Sequence, residues 1–264
     1  MPAVPRFAAN LSFLYQEVPL IERIARAAAD GFGAVEYVSP YELDKDEIAA
    51  ALKAAGIAQA LFNLPAGDWA AGERGIGCLP DRVEEFRAGL DKAIAYAKAL
   101  DCPTLNCLCG LMPQGSDFAV LDRTLASNLA YAAPRLADAG IALVFEPINR
   151  RDMPTYHVAT TDHAETIMAM ANVENLRIQY DFYHMQIAQG DLIPTFERLF
   201  ERIGHVQVAD NPGRNEPGTG EINYGFVFEA LDRLGYAGWV GCEYKPKTTT
   251  TEGLGWMAPY RKGV

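Results

Sequence analysis

IALVFEP (141–147), LRIQYDFYH (176–184), IGHVQVAD (203–210) and WVGCEY (239–244) are four short apolar runs. Each ends, or nearly ends, on a polar residue: Glu146, Asp181, Gln207 and Glu243. Those residues are spaced by 35, 26 and 36 positions. A strand, a helix and two loops take roughly 30 residues. The four polar residues therefore fall at about the same height of successive βα units. Parallel strands closed into a barrel would turn all four into one mouth, the C-terminal face where TIM barrels carry their chemistry.

Working outward, strand-like and helix-like stretches alternate along the whole chain. RFAANLS (6–12), GAVEYV (33–38), IAQALFNL (57–64) and PTLNCLCG (103–110) read as four earlier strands. Helical spacing of apolar residues marks 18–31, 44–56, 83–100, 118–140, 160–171, 194–204 and 224–235. Gly31 and Gly56 sit where helices stop, and 44–56 opens with an acidic first turn. Eight strands in 264 residues repeat at about 33 residues. That predicts an α/β protein, a single (β/α)8 TIM barrel domain over 1–264. A doubly wound dinucleotide fold would need G-x-G-x-x-G after the first strand, and AANLSFLY (8–15) has none.

Bulk properties narrow the partners. Half of the residues are hydrophobic, enough for a large core, and no linker or compositional break divides them. A net charge of −11 argues against nucleic acid, whose phosphates call for a basic face. No apolar run is long enough to span a membrane, and MPAVPRFAANLSF (1–13) lacks the features of a secretory leader. Five cysteines, an odd number, are expected to be small buried hydrophobes in a reducing cytoplasm. Two stretches, 64–81 and 210–223, are too long for plain connectors, and the first is expected to act as a lid.

Three carboxylates and an amide oxygen in one mouth suit a divalent cation with oxygen ligands, Mg²⁺ or Mn²⁺. Without a cation the carboxylates repel, and at least one pKa should rise. A cation gripping a carbonyl and its neighbouring hydroxyl acidifies the C–H between them. Glu146 and Glu243, three strands apart, could then move a proton between adjacent carbons. Around them, His184 lies three residues past Asp181 and is expected to reach a substrate oxygen from a loop. Lys245 shares the strand face of Glu243 by the period of two, and either binds a substrate oxyanion or pairs with a carboxylate. Arg74 and Arg214 sit on the two long loops, as surface charges or as forks for a substrate carboxylate. Asn10, Asn63 and Asn106 come at strand ends and could line the pocket. His205, one layer deeper than Gln207, reads as a core histidine.

On the stretches NLPAGDWAAGERGI, FEPIN, QYDFYHMQ, HVQVADNPGRNEPGTGEINY and GWVGCEYKP, the chain resembles the hydroxypyruvate isomerase family of xylose-isomerase-like barrels, over nearly its full length. The resemblance implies interconversion of hydroxypyruvate and 2-hydroxy-3-oxopropanoate, with Glu146 and Glu243 as proton donor and acceptor. It also implies Mg²⁺ held by Glu146, Asp181, Gln207 and Glu243. Ketose 3-epimerases of this fold generally carry His where this chain has Gln207, which points away from them. The same family includes 2-oxo-tetronate isomerases acting on a four-carbon acid, so that substrate stays open. Barrels of this class often associate, and a homo-oligomer is a further expectation. A metal-dependent phosphodiesterase and a non-catalytic binding protein are the other readings. The first would need more His ligands than four histidines supply.

Overall fold

A computed structural model describes residues 5–260. The outer ends of the expected 1–264 domain lie outside the described residues, as do the first four positions of the stretch read for a leader. Eight strands form: β1 Arg6–Asn10, β2 Ala34–Tyr37, β3 Ala58–Asn63, β4 Thr104–Cys107, β5 Ala142–Phe145, β6 Leu176–Asp181, β7 Ile203–Val208 and β8 Trp239–Cys242. Every neighbouring pair is parallel, and β1 pairs with β8, so the barrel is closed in sequence order. The (β/α)8 expectation holds.

Helices cover the outside: α1 Leu20–Ala29, α2 Lys45–Ala55, α3 Val83–Ala99, α4 Phe118–Asp138, α5 Thr161–Ala171, α6 Phe182–Ala188, α7 Leu192–Leu199, α8 Tyr224–Arg233 and α9 Thr250–Gly253. Local chemistry sets their ends. The Asp44 side chain accepts from the Asp46 and Glu47 amides and caps α2, and Gly56 ends it in the left-handed region at φ 68°. Asp117 caps α4 in the same way. Ile24, Ile48, Phe86, Leu90, Leu125 and Leu129 lie on the buried sides of these helices, against the barrel.

Two departures from the sequence reading matter for the site. The stretch after Asp181 is a helix, α6, and not a loop. Asp181 is its N-cap, accepting from the Tyr183 amide at 2.8 Å. The helix expected over 194–204 starts earlier, at Leu192. It ends at Leu199, a 3₁₀ turn follows, and β7 begins at Ile203. Among the described residues, no helix is long and apolar enough to cross a membrane. All five cysteines are free and buried. Burial pushes the Cys78, Cys102 and Cys107 thiols up to about 12, as inert core residues should be.

Candidate active site

Successive side chains alternate across a strand, so each barrel strand turns every second residue inward. β6 and β7 pair Gln179 with His205 and Asp181 with Gln207. β8 contributes Gly241, and Glu243 follows just past its end. Glu146 likewise comes one residue after β5. Glu146, Asp181, His184 and Glu243 each offer one atom to a cluster in which all such atoms lie within 4.8 Å of one another. The sequence spacing therefore brings its three carboxylates together.

Two oxygens in this cluster, Glu146 Oε1 and Asp181 Oδ2, are buried with no hydrogen-bond partner. A buried carboxylate oxygen without a donor is costly, and a cation is the group that satisfies several at once. The residues present thus fit a divalent ion. All three pKa values rise, chiefly through burial. The Glu146 carboxyl goes well above its ordinary value, with Glu243 and then Asp181 adding to the shift. Glu243 is pushed up to about 8 and Asp181 to about 6. Mutual repulsion, the cause expected from sequence, comes second to desolvation at Glu146, whereas at Glu243 and Asp181 the Arg214 charge, which lowers both, comes second.

His184 is on the first turn of α6, fully buried. Its Nε2 lies 3.8 Å from Glu146 Oε1 and 3.7 Å from Asp181 Oδ2. Its Nδ1 lies 2.6 Å from Asn149 Nδ2. The Asn149 Oδ1 is taken by the Asp152 amide at 2.9 Å, so the amide NH₂ must face His184. Nδ1 is therefore the acceptor, which puts the proton of the neutral ring on Nε2, although Arg214 Nη2, itself only a donor, lies 3.4 Å from that nitrogen and is not satisfied by it in this tautomer. Burial and the nearby Arg214 hold the ring pKa well below its ordinary value, in keeping with that neutral form. His184 is a hydrogen-bond donor to whatever oxygen enters the mouth.

Arg214 reaches the mouth from the long loop after β7. Its Nη2 donates to Glu243 Oε2 at 2.6 Å and its Nε to the Glu243 carbonyl at 3.4 Å. The loop is wound around Asp210, whose carboxylate accepts from the Asn211, Gly218, Gly220 and Ile222 amides. Arg214 itself sits at φ 54°, a region non-glycine residues seldom occupy. The Lys245 amide steadies it, donating to the Arg214 carbonyl at 2.7 Å.

Two expected substrate contacts are not brought to the mouth. The Lys245 side chain is exposed: alternation carries past β8 only to Glu243, and at Lys245 the chain has turned to pair with the long loop, its amide donating to the Arg214 carbonyl. Arg74 folds back on its own loop. Its guanidinium lies 4.0 Å from the Trp69 ring and donates to the Trp69 and Glu73 carbonyls. Gly75, at φ 104°, is packed so closely against Leu108 that a Cβ there would run into its carbonyl oxygen. Trp69 is the residue of that loop that lines the pocket, with Asn10 and Asn63 among the other lining residues. Asn106 donates to Asn63 Oδ1 at 3.0 Å.

Sequence reasoning missed Glu36. It is fully buried on β2 and points inward beneath the mouth. It accepts from Asn10 Nδ2 at 2.9 Å, Gln207 Nε2 at 2.7 Å and His205 Nε2 at 2.6 Å. By taking the Gln207 NH₂, it turns Gln207 Oε1 the other way, where Gln179 Nε2 donates at 2.6 Å. Asn10 carries the same support to Glu243 Oε1, at 3.3 Å. A side chain at Gly241 would collide with the Glu36 carboxylate. A lone Glu inside the apolar strand AVEY, and a Gly two residues before Glu243, were the available signals. His205 is a core histidine, as expected.

Comparison with known proteins places this geometry. A model of the family described as Xylose isomerase-like TIM barrel matches residues 24–260. Hydroxypyruvate isomerase of Escherichia coli K12 is 49% identical over 256 residues, covering 97% of this chain and 99% of that protein. A 2-oxo-tetronate isomerase of Cupriavidus necator is 46% identical, with coverage of 97% and 99%. A crystal structure from Brucella melitensis, titled AP endonuclease, family 2, superposes with a TM-score of 0.95 at 46% identity. It covers 98% of this chain and 100% of that one. An L-ribulose 3-epimerase shares the fold at 21% identity and a TM-score of 0.75.

Proposed function

Since the chain belongs to the xylose isomerase-like TIM barrel family, and within it to the group of hydroxypyruvate and 2-oxo-tetronate isomerases, we propose that it interconverts hydroxypyruvate and 2-hydroxy-3-oxopropanoate. The observation that carries this reading is the mouth cluster: buried carboxylates with partnerless oxygens beside a neutral His donor and an Arg. That is the equipment for a proton shift next to a carbonyl.

Glu146, Asp181, Gln207 and Glu243 would hold Mg²⁺ or Mn²⁺. Such an ion, when bound, draws charge from the substrate carbonyl and hydroxyl oxygens and so acidifies the C–H between them. The two glutamates do the proton work. One carboxylate takes the proton from C3 of hydroxypyruvate, leaving an enediolate, the other delivers a proton to C2, and the O3 hydroxyl proton passes to O2, which leaves the aldehyde at C3 and the hydroxyl at C2. Carboxyls held above their ordinary values by burial, with Glu243 at about 8, suit groups that both take and give protons. The His184 Nε2–H donates to an oxygen on which negative charge grows. Arg214 holds Glu243 in place and supplies positive charge beside the substrate carboxylate. Trp69, Phe13, Ile148 and Met153 wall the pocket with apolar surface, which limits water around the enediolate.

A four-carbon substrate is the second reading, favoured by the nearly equal identity to the 2-oxo-tetronate isomerase. A nuclease role, despite the Brucella title, is disfavoured by the net charge of −11. Buried free thiols go with a reducing cytoplasm.

The experiment is turnover of hydroxypyruvate beside a 2-oxo-tetronate, followed by proton NMR in D₂O with Mg²⁺ and then with EDTA. Preferred turnover of hydroxypyruvate, lost with EDTA, is the expected result. Preference for the four-carbon acid would keep the chemistry and change the substrate. Activity that survives EDTA would leave the glutamates as catalysts without the ion, and no turnover of either acid would sink the proposal.

A further inference from the structure

The four histidines divide into two pairs. His184 and His205 face the barrel interior. His157 and His163 lie outside it, in the segment after β5 and on the first turn of α5, and both meet Asp122 of α4. Their Nε2 atoms each lie 2.8 Å from the same oxygen, Asp122 Oδ1. The ligating atoms of all three residues lie within 4.8 Å of one another. His157 is fully buried, while Asp122 and His163 keep 15% side-chain exposure, so the trio is reachable from solvent. Phe118, one turn before Asp122, covers both rings at 4.8 and 5.0 Å between centroids.

We propose that Asp122, His157 and His163 form a second metal site, separate from the barrel mouth, which takes a zinc-class ion through two imidazole nitrogens and one carboxylate oxygen. Zinc binds such donors at roughly 2.0–2.2 Å, which sets tetrahedral donors about 3.3 Å apart. The trio needs to open by only about half an ångström per contact to admit it. The donor set also separates the two sites by chemistry. Imidazole suits zinc and its neighbours, whereas the all-oxygen mouth suits Mg²⁺ or Mn²⁺. Three protein ligands leave a position for water on the exposed side. Burial, His163 and Arg150 keep His157 below its ordinary pKa against the pull of Asp122, so the ring is available in the neutral, ligating form.

One feature tempers the affinity. His157 Nδ1 is buried with no partner, so ligation through Nε2 would leave an N–H there without an acceptor. Lack of such outer support weakens binding by about 10–100-fold. The site would pin the segment between Glu146 and α5, which also carries Asn149, the residue that orients His184.

The test is calorimetric titration of zinc chloride into Glu146→Gln/Asp181→Asn protein, whose mouth can no longer compete. One equivalent should bind, and adding His163→Ala should weaken it at least tenfold. His163→Ala alone should leave Mg²⁺-supported turnover unchanged. No zinc bound by the mouth variant, or equal affinity after His163→Ala, would show that the trio is only a hydrogen-bonded staple between α4 and α5. Should the mouth variant fail to fold, ¹⁵N NMR of the wild-type imidazoles decides. The His157 and His163 resonances should shift with zinc and not with Mg²⁺, and unmoved resonances overturn the proposal.

Discussion

Two polar layers lie one above the other inside this barrel, and they are satisfied to different degrees. In the lower layer, Glu36 takes three donors, and Gln207 is held at both ends of its amide. In the upper layer, Glu146 Oε1 and Asp181 Oδ2 have no donor at all. Both layers are buried, so solvent exposure does not explain the difference. The lower layer leaves one amide oxygen, Gln179 Oε1, without a partner, whereas the upper layer leaves two carboxylate oxygens bare, and bare carboxylates are the ones that call for a group still to arrive. The lower layer is chiefly scaffold and the upper layer is site, with Gln207, which also lines the mouth, joining the two.

The strongest way to break that contrast is to neutralise the upper layer. Glu243→Gln should lower kcat by about 10²–10⁴-fold, as loss of a placed acid–base group does, with an unchanged circular dichroism spectrum. Retained turnover would take Glu243 out of proton transfer. The lower layer should act at one remove. Glu36→Gln sets an NH₂ among donors and frees the Gln207 amide to flip, so Mn²⁺ affinity should fall about 10–100-fold by calorimetry. A drop in Tm with affinity intact would make Glu36 a packing residue only.

The contrast also predicts a pH dependence. Unfolded carboxyls titrate near 4, whereas the folded, metal-free protein keeps protons on Asp181 up to about 6 and on Glu243 up to about 8. Between those limits the folded state binds more protons than the unfolded one, so stability falls as pH rises from about 4 to about 8. A Tm loss of roughly 5–10 °C across that window is expected, reduced by Mg²⁺ or Mn²⁺. A flat profile in EDTA would mean the upper layer carries no electrostatic burden. Smallest of all, Lys245→Ala should change kcat/KM less than about twofold, as for a surface site away from the cluster. A larger loss would bring its side chain back into the mouth.

Much of this was legible from residue order. Strand spacing put Glu146, Asp181 and Glu243 in one mouth because βα units have a narrow range of lengths, and parallel closure repeats the same height. The reading failed where it extrapolated a period beyond its element. Lys245 lies where the chain has left the barrel wall to pair with the loop carrying Arg214, so alternation no longer governs it. Arg74 and Arg214 looked alike as loop arginines. Long-range contacts separated them: Gly75 against Leu108 for one, and Asp210 with the Lys245 amide for the other. Glu36 was invisible because one Glu in an apolar strand does not announce three partners on β1 and β7.

By itself, then, the sequence determined the eightfold alternation, the closed parallel barrel and the three acidic strand ends, because these follow from periodicities of a few residues and one repeat length. Only the tertiary structure decided which oxygens lack donors, which tautomer His184 adopts, which arginine enters the mouth, and that Asp122, His157 and His163 meet outside it. Those outcomes depend on atoms brought within about 3 Å by segments far apart in sequence, and hydrogen bonding is decided at that distance.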